Sequence, residues 1–476
     1  MDFSEQHKQA NALGTVGVSV VRYEIEADAS FHVPYEGDHP AVREQFPNGF
    51  FPSIGSGLAF KGARPDGALE FFCVTDRGPN GDGPEVPALT GQGTMGSKIF
   101  PAPGFTPSIG TLKVEGGRAW LESLTPILVA DGMRSSGLPM PHGSVGSSAE
   151  IPLFNTLAFD PDSKAGFHEG GVDTEAIAYD RKRNKIWLAD EYGPFLLMVD
   201  PATGLVEQRY GPGTGLPPVM ALRRANRGME GMTLDPHSDR IHAFLQSPLS
   251  DGKAHSAATG QAEKVERYAR FTRWIEFDPN TGTTVAMYAY PIDPTDYAHG
   301  RTGNAKLGDL VALGEGKFIV IEQGEGAAES MINKLMLVEI AGATDISSLS
   351  SELEKSSMSG GSGNGANWSD IVPIKKTELL DLNALGWVAE KAEGLALVDE
   401  NTLAMTNDND FGMKTRVVDA EGEVRHADVT TFVADASGAI VSGAEPGEAV
   451  RVGRVDEKER ALSLWLLRFE RPLMQY

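Results

Sequence analysis

Apolar and polar residues alternate along this chain in paired short runs, and the pairs recur. EAIAYDRKRNKIWLADEYGP (175–194), EGMTLDPHSDRIHAFLQSP from Glu230, DLVALGEGKFIVIEQGEG from Asp309 and EGLALVDENTLAMTNDNDFG from Glu393 share one plan. A leading acid precedes an alternating run, a polar turn, a second apolar run and a polar or Gly-rich exit. GLAFKGARPDGALEFFCVTDRGP from Gly57 is a looser copy without the acid, ending in Asp76, Arg77, Gly78 and Pro79. Period-two alternation bounded by turn residues such as Asp66-Gly67 and Asp235-Pro236 predicts strands joined as hairpins. Recurrence every roughly 55 to 85 residues predicts radial or linear repetition.

Further strand pairs, FLLMVDPATGLVEQRY (195–210) and WIEFDPNTGTTVAMYAY (274–290), extend the hairpins to four antiparallel strands. Four such strands, repeated, describe a propeller blade. VGVSVVRYEIEA (16–27) and LSLWLLRF (462–469) have no local partners, so the two ends are expected to meet in one blade and seal the ring. The expected fold is all-β: a single closed β-propeller with five detectable repeats, and five or six blades depending on a further unit around 130–160. Residues 1–15 read as a tail and 16–476 as one domain with loop insertions at 79–110, 250–270 and 345–370. Helical patterning is confined to 217–226 and 345–357, and 356–370 reads as a surface loop.

Charge narrows the partners. Asp and Glu number 66 against 42 Lys and Arg, a net charge of −24. Nucleic acid and anionic membrane both need counter-charge, so neither is expected, whereas a cation fits. The one cysteine, Cys73, lies in the apolar run FFCV and excludes an intrachain disulfide. No window of about 18 apolar residues is present to span a membrane. The first residues lack the basic start and apolar core of a signal peptide. A monomer is expected.

Several familiar motifs fail on context. GQGTMG (91–96) matches G-x-G-x-x-G, but no helix can follow because prolines interrupt the next stretch. G-x-S-x-G, H-E-x-x-H and paired C-x-x-C motifs are absent. NDNDFG (407–412) lacks the spacing of an EF-hand loop. What remains is the series of leading acids, Glu175, Glu230, Asp309 and Glu393. At equivalent positions of successive blades they converge on the axis, where mutual repulsion calls for a cation. Oxygen-only ligands suit Ca²⁺, with Mg²⁺ or Mn²⁺ as alternatives, and Asp190, Glu322 and Asp408 in the exit clusters are further candidate ligands. The competing reading is that these acids accept backbone N–H bonds and tie neighbouring blades together. The exit clusters share a face with the leading acids and bring Asp76 and Glu191, candidate proton acceptors. Arg77, Arg227 and Lys391 lie beside them, either as contacts for a substrate anion or as ion-pair partners of the acids. His142, His168, His237 and His299 sit in loops.

The series LAF…FFCVTDRGPNGDG, EAIAYD…IWLADEYGPFLLMVD, RGMEGMTLD…FLQSPL, DLVALGEGKFIVIEQ and KAEGLALVD…MTNDNDFG resembles the family called esterase-like activity of phytase, over about residues 50 to 470. The resemblance implies a β-propeller, hydrolysis of a small ester or phosphoester, and export, which places the protein in the periplasm or outside the cell with its leader absent from this chain; the alternative is the cytoplasm. Two departures stand against a symmetric metal site. Gly57 stands where other members have an acid, and IEQGEG carries no arginine after Glu322. Two classes of function follow: a hydrolase using water activated by an axial cation, or a non-catalytic protein binding an anionic ligand above a structural calcium. An axial-calcium lactonase is a third possibility.

Overall fold

A computed structural model describes residues 3–476 apart from 91, 130–131, 155–165, 329 and 361–365. The fold is all-β, with four short helices among the described residues, at Pro40–Gln45, Val265–Tyr268, Glu352–Met358 and Glu457–Arg460. Five four-stranded antiparallel units carry the architecture. Three are separate sheets that begin with the strands Thr174–Asp180, Met229–Asp235 and Ala305–Gly314 and run in chain order, the first extended by a short fifth strand, Gly215–Leu216, parallel to its fourth. A fourth unit runs Gly57–Ala63, Leu69–Val74, Ser108–Glu115, Arg118–Pro126. In the fifth, Leu395–Asp399 and Thr402–Thr406 are followed by Ser463–Phe469 and Gly14–Glu26, so the two ends of the chain pair, Val18 opposite Phe469 and Val21 opposite Leu466. A short parallel join, Ile25 opposite Ala119, links this unit to the Gly57 unit.

The first strand of every unit contacts the first strand of the next, in cyclic order from Gly57–Ala63 back to itself. Such close approach needs small side chains. A Cβ on Gly57 would lie 2.8 Å from Ala176 Cα, and one on Gly231 or Gly308 would lie 2.6 Å from the Gly308 or Ala392 carbonyl oxygen. Between the sheets the alternating apolar faces interdigitate. Trp187, Phe277 and Ile241 share one buried cluster, and Leu337, Leu380, Leu403 and Leu467 another.

Several segments differ from the reading of the sequence. Within the expected tail, Glu5–Asn11 is a strand paired with Gly14–Val20. The 79–110 insertion is not a loop. Gly81–Pro87 and Thr94–Phe100 pair with each other and enter a five-stranded sheet with Ile151–Phe154, Val433–Ala434 and Ile440–Ser442. That sheet and a second one built on Met413–Val418 and Ala449–Arg454 form a cap with its own core of Val86, Ile99, Met413, Phe432 and Val452. Thr94–Phe100 is a strand, so the 91–96 motif opens no helix; Gly91 itself lies outside the described residues. Lys253–Ser256 and Gln261–Lys264 form a hairpin in the 250–270 insertion. In the 345–370 insertion the helix Glu352–Met358 is docked by a fully buried pair: Arg273 Nε and Nη2 donate to the Glu354 carboxylate at 2.7 and 2.8 Å. Residues 361–365 of that insertion, and 130–131 and 155–160 of the stretch where a further unit was sought, lie outside the described residues.

Candidate functional site

The starts of the first strands and the exits of the second strands come together under the cap. They enclose a cavity of ≈ 360 Å³. Asp76 and Arg77 reach it from the exit of Leu69–Val74, Glu175 from the start of the second unit, and Glu191 from the exit of Lys185–Asp190. Arg227, Glu230 and Gln246 come from the third unit, Lys306 from the fourth, and Lys391 and Glu393 from the fifth. Met413 and Thr415 of the cap close the far wall.

Of the residues singled out in the sequence, Asp76, Arg77, Glu175, Glu191, Arg227, Glu230, Lys391 and Glu393 line this cavity, and Asp309, Asp190, Glu322 and Asp408 do not. The displacement of Asp309 follows from the ring of small residues. Glu175, Glu230 and Glu393 each precede the small residue that permits close approach, Ala176, Gly231 and Gly394, whereas Asp309 follows its own, Gly308. Leu307 therefore occupies the place of the acid in the fourth unit, and Ser56, before Gly57, occupies it in the first. Asp309 is buried and its carboxylate accepts the N–H groups of Met232, Leu310 and Leu395 at 3.2, 2.8 and 3.2 Å. The backbone-tie reading describes this one acid.

Glu322 is held by Lys376 Nζ of its own sheet at 2.6 Å, Tyr290 Oη of the third unit at 2.7 Å and Tyr297 Oη at 3.0 Å, which leaves it no way to the cavity. Asp190 accepts the N–H groups of Asp173 and Tyr192 and lies 3.6 Å from Arg209. Asp408 accepts from Ser53 Oγ at 2.6 Å and pairs with Lys391, which also pairs with Asp410 at 2.6 Å. Lys391 is thus an ion-pair partner of the exit cluster. None of His142, His168, His237 and His299 lines the cavity.

Asp173 is the residue that reading the sequence missed. It lies two positions before Glu175, and the ladder steps from Thr174 opposite Asp190 to Ala176 opposite Ala189, so Glu175 bulges out of register. Asp173, Glu175 and Glu191 each offer a carboxylate oxygen, all within 4.8 Å of one another. The D-T-E spacing at the strand start was the available signal. Asp173 Oδ1 accepts the Arg77 N–H at 3.0 Å, and Oδ2 lies 3.5 Å from Arg77 Nη1 without a hydrogen-bond partner. Arg77 Nη1 also donates to Asn226 Oδ1 at 2.7 Å. Gln246 Nε2 bridges Glu191 and Glu230 at 3.0 and 2.8 Å, and Glu393 Oε2 is buried without a partner.

Crowding of carboxylates in a desolvated space raises their proton affinity. Burial, then Asp173, pushes Glu191 up to about 8 against the pull of Arg77 and Arg227. Burial, then Asp173 and Glu393, holds Glu175 well above the usual carboxylate range; burial and Glu191 do the same to Glu230. Asp76 is pushed up by burial, then by Asp408 and Asp173. On the cationic side, burial and then Arg224 push Arg227 down to about 10. The unpartnered Asp173 Oδ2, hard oxygen donors only and three carboxylates against the one arginine in contact with them make the Asp173, Glu175, Glu191 set a fit for a hard divalent cation.

A family model described as Phytase-like, esterase-like activity of phytase, matches residues 125–411. No curated protein matches the chain. Among solved structures, a Dyadobacter fermentans protein of unknown function is similar at 9% identity and a TM-score of 0.34, covering 95% of this chain and 99% of its own. An α-L-arabinofuranosidase from Podospora anserina is similar at 7% identity and 0.34, covering 94% and 97%. A luciferin-regenerating enzyme is similar at 8% identity and 0.29, covering 88% and 92%. Likeness at this level says nothing of the chemistry of this chain.

Proposed function

Because the chain belongs to the phytase-like family, we propose that it is a metal-dependent hydrolase of small phosphoesters or carboxylic esters, with its site in the acidic cavity under the cap. The observation that carries this reading is the convergence of Asp173, Glu175 and Glu191 within 4.8 Å beside Arg77. The five four-stranded units are read as the blades of one propeller, on the cyclic contact of their first strands.

Asp173, Glu175 and Glu191 would hold the cation, Ca²⁺ first, with Mg²⁺ or Mn²⁺ as alternatives. Bound there, it would supply Lewis acidity toward a phosphoryl or acyl oxygen. Arg227 makes no ion pair among the described residues and presents its charge to an anionic oxygen of the substrate, as does Arg77, which is fixed by Asn226, the neighbour of Arg227 in sequence. Asp76, its carboxyl raised by burial and its Oδ1 anchored by the Gly78 N–H at 2.8 Å, takes the proton released when water attacks. The cap excludes bulk solvent and strengthens each of these interactions.

Metal analysis of the purified protein, with a screen of phosphoesters and carboxylic esters before and after chelation, tests the reading. Bound divalent metal, turnover lost on chelation with the fold retained, and both lost in Asp173→Asn are expected. Turnover indifferent to chelation would remove the cation from the reaction, and stabilisation by an anionic ligand without turnover would make the protein a binding module.

A further inference from the structure

Arg227 and Lys306 of the cavity also line a second cleft of ≈ 290 Å³, together with Arg224, Arg267 and Arg301. The two spaces share Arg227, Lys306 and Glu390. In a chain with 66 acidic and 42 basic residues, five cations in one concavity run against composition. Among the described residues none of the four arginines is held in a close ion pair, with a carboxylate within 4.0 Å, although Glu266 acts on Arg224 and Glu263 and Glu325 on Arg301 from farther off. Lys306 reaches Glu390 only at 3.9 Å. The other acid of the cleft, Glu325, accepts from Asn304 at 3.1 Å.

Two of the guanidiniums are oriented by carbonyls. Arg224 Nη1 donates to the Gly303 carbonyl at 3.3 Å and Arg227 Nη1 to the Ala305 carbonyl at 3.2 Å, while Arg301 Nε is buried with no partner. The cations repel one another. Burial, then Arg227, pushes Lys306 below the usual lysine range, and Arg224 is pushed down by burial, with Arg267 adding to it. Some arginines elsewhere are matched to acids, as Arg183 is to Asp180 and Asp239 and Arg273 is to Glu354, while Arg181 and Arg223 donate to carbonyls. The cleft differs in gathering four arginines without a close ion pair in one concavity. Clustered guanidiniums without close ion pairs, two of them oriented by carbonyls and one with a buried unpartnered N–H, are the donor set that recognises a tetrahedral or planar oxyanion.

We propose that this arginine cleft is an oxyanion subsite that holds a phosphate-sized anionic group of the substrate, remote from the bond that is cleaved. In its catalytic role the proposal rests on the hydrolase reading, and it names a substrate class for it: molecules with an anionic group beyond the ester that reacts. The subsite itself stands or falls by binding alone.

Isothermal titration with inorganic phosphate at low ionic strength tests it, on the full chain and on Arg267→Ala and Arg301→Ala. Arg267 is exposed and lines the cleft but not the cavity, so its removal spares the fold and the proposed reaction site. A double variant of exposed surface arginines, Arg64→Ala with Arg118→Ala, controls for overall charge. Saturable binding that weakens about tenfold or more in each cleft variant and not in the control is expected, the scale of one lost charge-assisted hydrogen bond. No saturable binding to the wild type, or equal affinity in wild type and cleft variants, overturns the subsite. Phosphate bound through the cleft by a protein that hydrolyses nothing would retire the hydrolase reading and keep the subsite. Ester turnover with KM unmoved by Arg267→Ala, in a protein whose phosphate affinity is also unmoved, would do the reverse.

Discussion

The carboxylate of Asp309 accepts the backbone N–H of Leu395 at 3.2 Å, joining the fourth unit to the fifth. It also accepts the Met232 N–H from the third, and its own N–H donates to the Glu393 carbonyl at 3.0 Å. One buried side chain therefore fixes the strand starts that carry Glu230 and Glu393. Asp309→Ala would leave these N–H groups buried without acceptors, each costing about 1–3 kcal/mol. A loss of at least about 3 kcal/mol is expected in urea unfolding, with Asp309→Asn intermediate because it keeps one acceptor oxygen. Retained metal content in the folded Asn variant would agree with a tie; loss of metal at unchanged stability would make Asp309 a ligand.

The raised carboxyls predict a pH dependence with a definite sign. Glu191 moves from an ordinary 4.5 up to about 8, and Glu175 and Glu230 move in the same direction. The folded protein then binds more protons than the unfolded chain between these limits, so stability is fully present below the unfolded pKa and falls as pH rises through the folded one. Metal-free protein should lose melting temperature between about pH 4.5 and 8. Added Ca²⁺ should recover more of it at pH 8 than at pH 5, because the cation needs the deprotonated set. A melting temperature of the chelated protein that rises over this range would contradict the burial of these groups.

Much of this was legible in the sequence because alternation and turn residues are local signals. The hairpins at 175, 230, 309 and 393 are where their patterns place them, and the ends of the chain pair with each other. Two things were not local. The cap is assembled from Gly81–Pro87, Thr94–Phe100, Ile151–Phe154 and strands within 413–454, which have meaning only when they meet. Aligning the repeats on their acids put Asp309 in the wrong place, because the contacts between first strands are set by the small residues Ala176, Gly231, Gly308 and Gly394 that let strands approach. Asp173 escaped for a similar reason: it stands outside the repeated hairpin, and a bulge brings its neighbour Glu175 to the same point.

The insertion that carries Glu352–Met358 hangs on Arg273, whose guanidinium also donates to the Leu349 and Ser350 carbonyls at 3.1 and 3.0 Å. Removing one partner of a fully buried pair leaves an uncompensated charge and costs about 3–5 kcal/mol. Glu354→Ala should lower stability by that amount. A paired replacement, Arg273→Met with Glu354→Leu, should recover most of it, since both charges leave together. Chemical denaturation of the three proteins checks this, and a double variant no better than the single would show that the carbonyl bonds of Arg273 dominate.

Arg77 stands between the two sides of the site. Its Nη1 lies 3.5 Å from Asp173 and bonds Asn226, and its guanidinium sits 5.7 Å from the centre of the Tyr192 ring. Arg77→Ala removes a positive charge both from the candidate cation ligands and from the wall that would meet a substrate oxyanion, and these losses act in opposite senses. The carboxylates, relieved of a competitor, should take up Ca²⁺ more tightly. Turnover of a phosphoester should fall by about 10²- to 10³-fold, the scale of one lost oxyanion donor. Arg77→Lys keeps the charge without the planar fork, so it should preserve the weaker metal affinity while recovering only part of the rate. Calcium titration and kcat/KM on the two variants separate these effects. Turnover unchanged in Arg77→Ala, with stability lost, would make Arg77 a purely structural partner of Asp173.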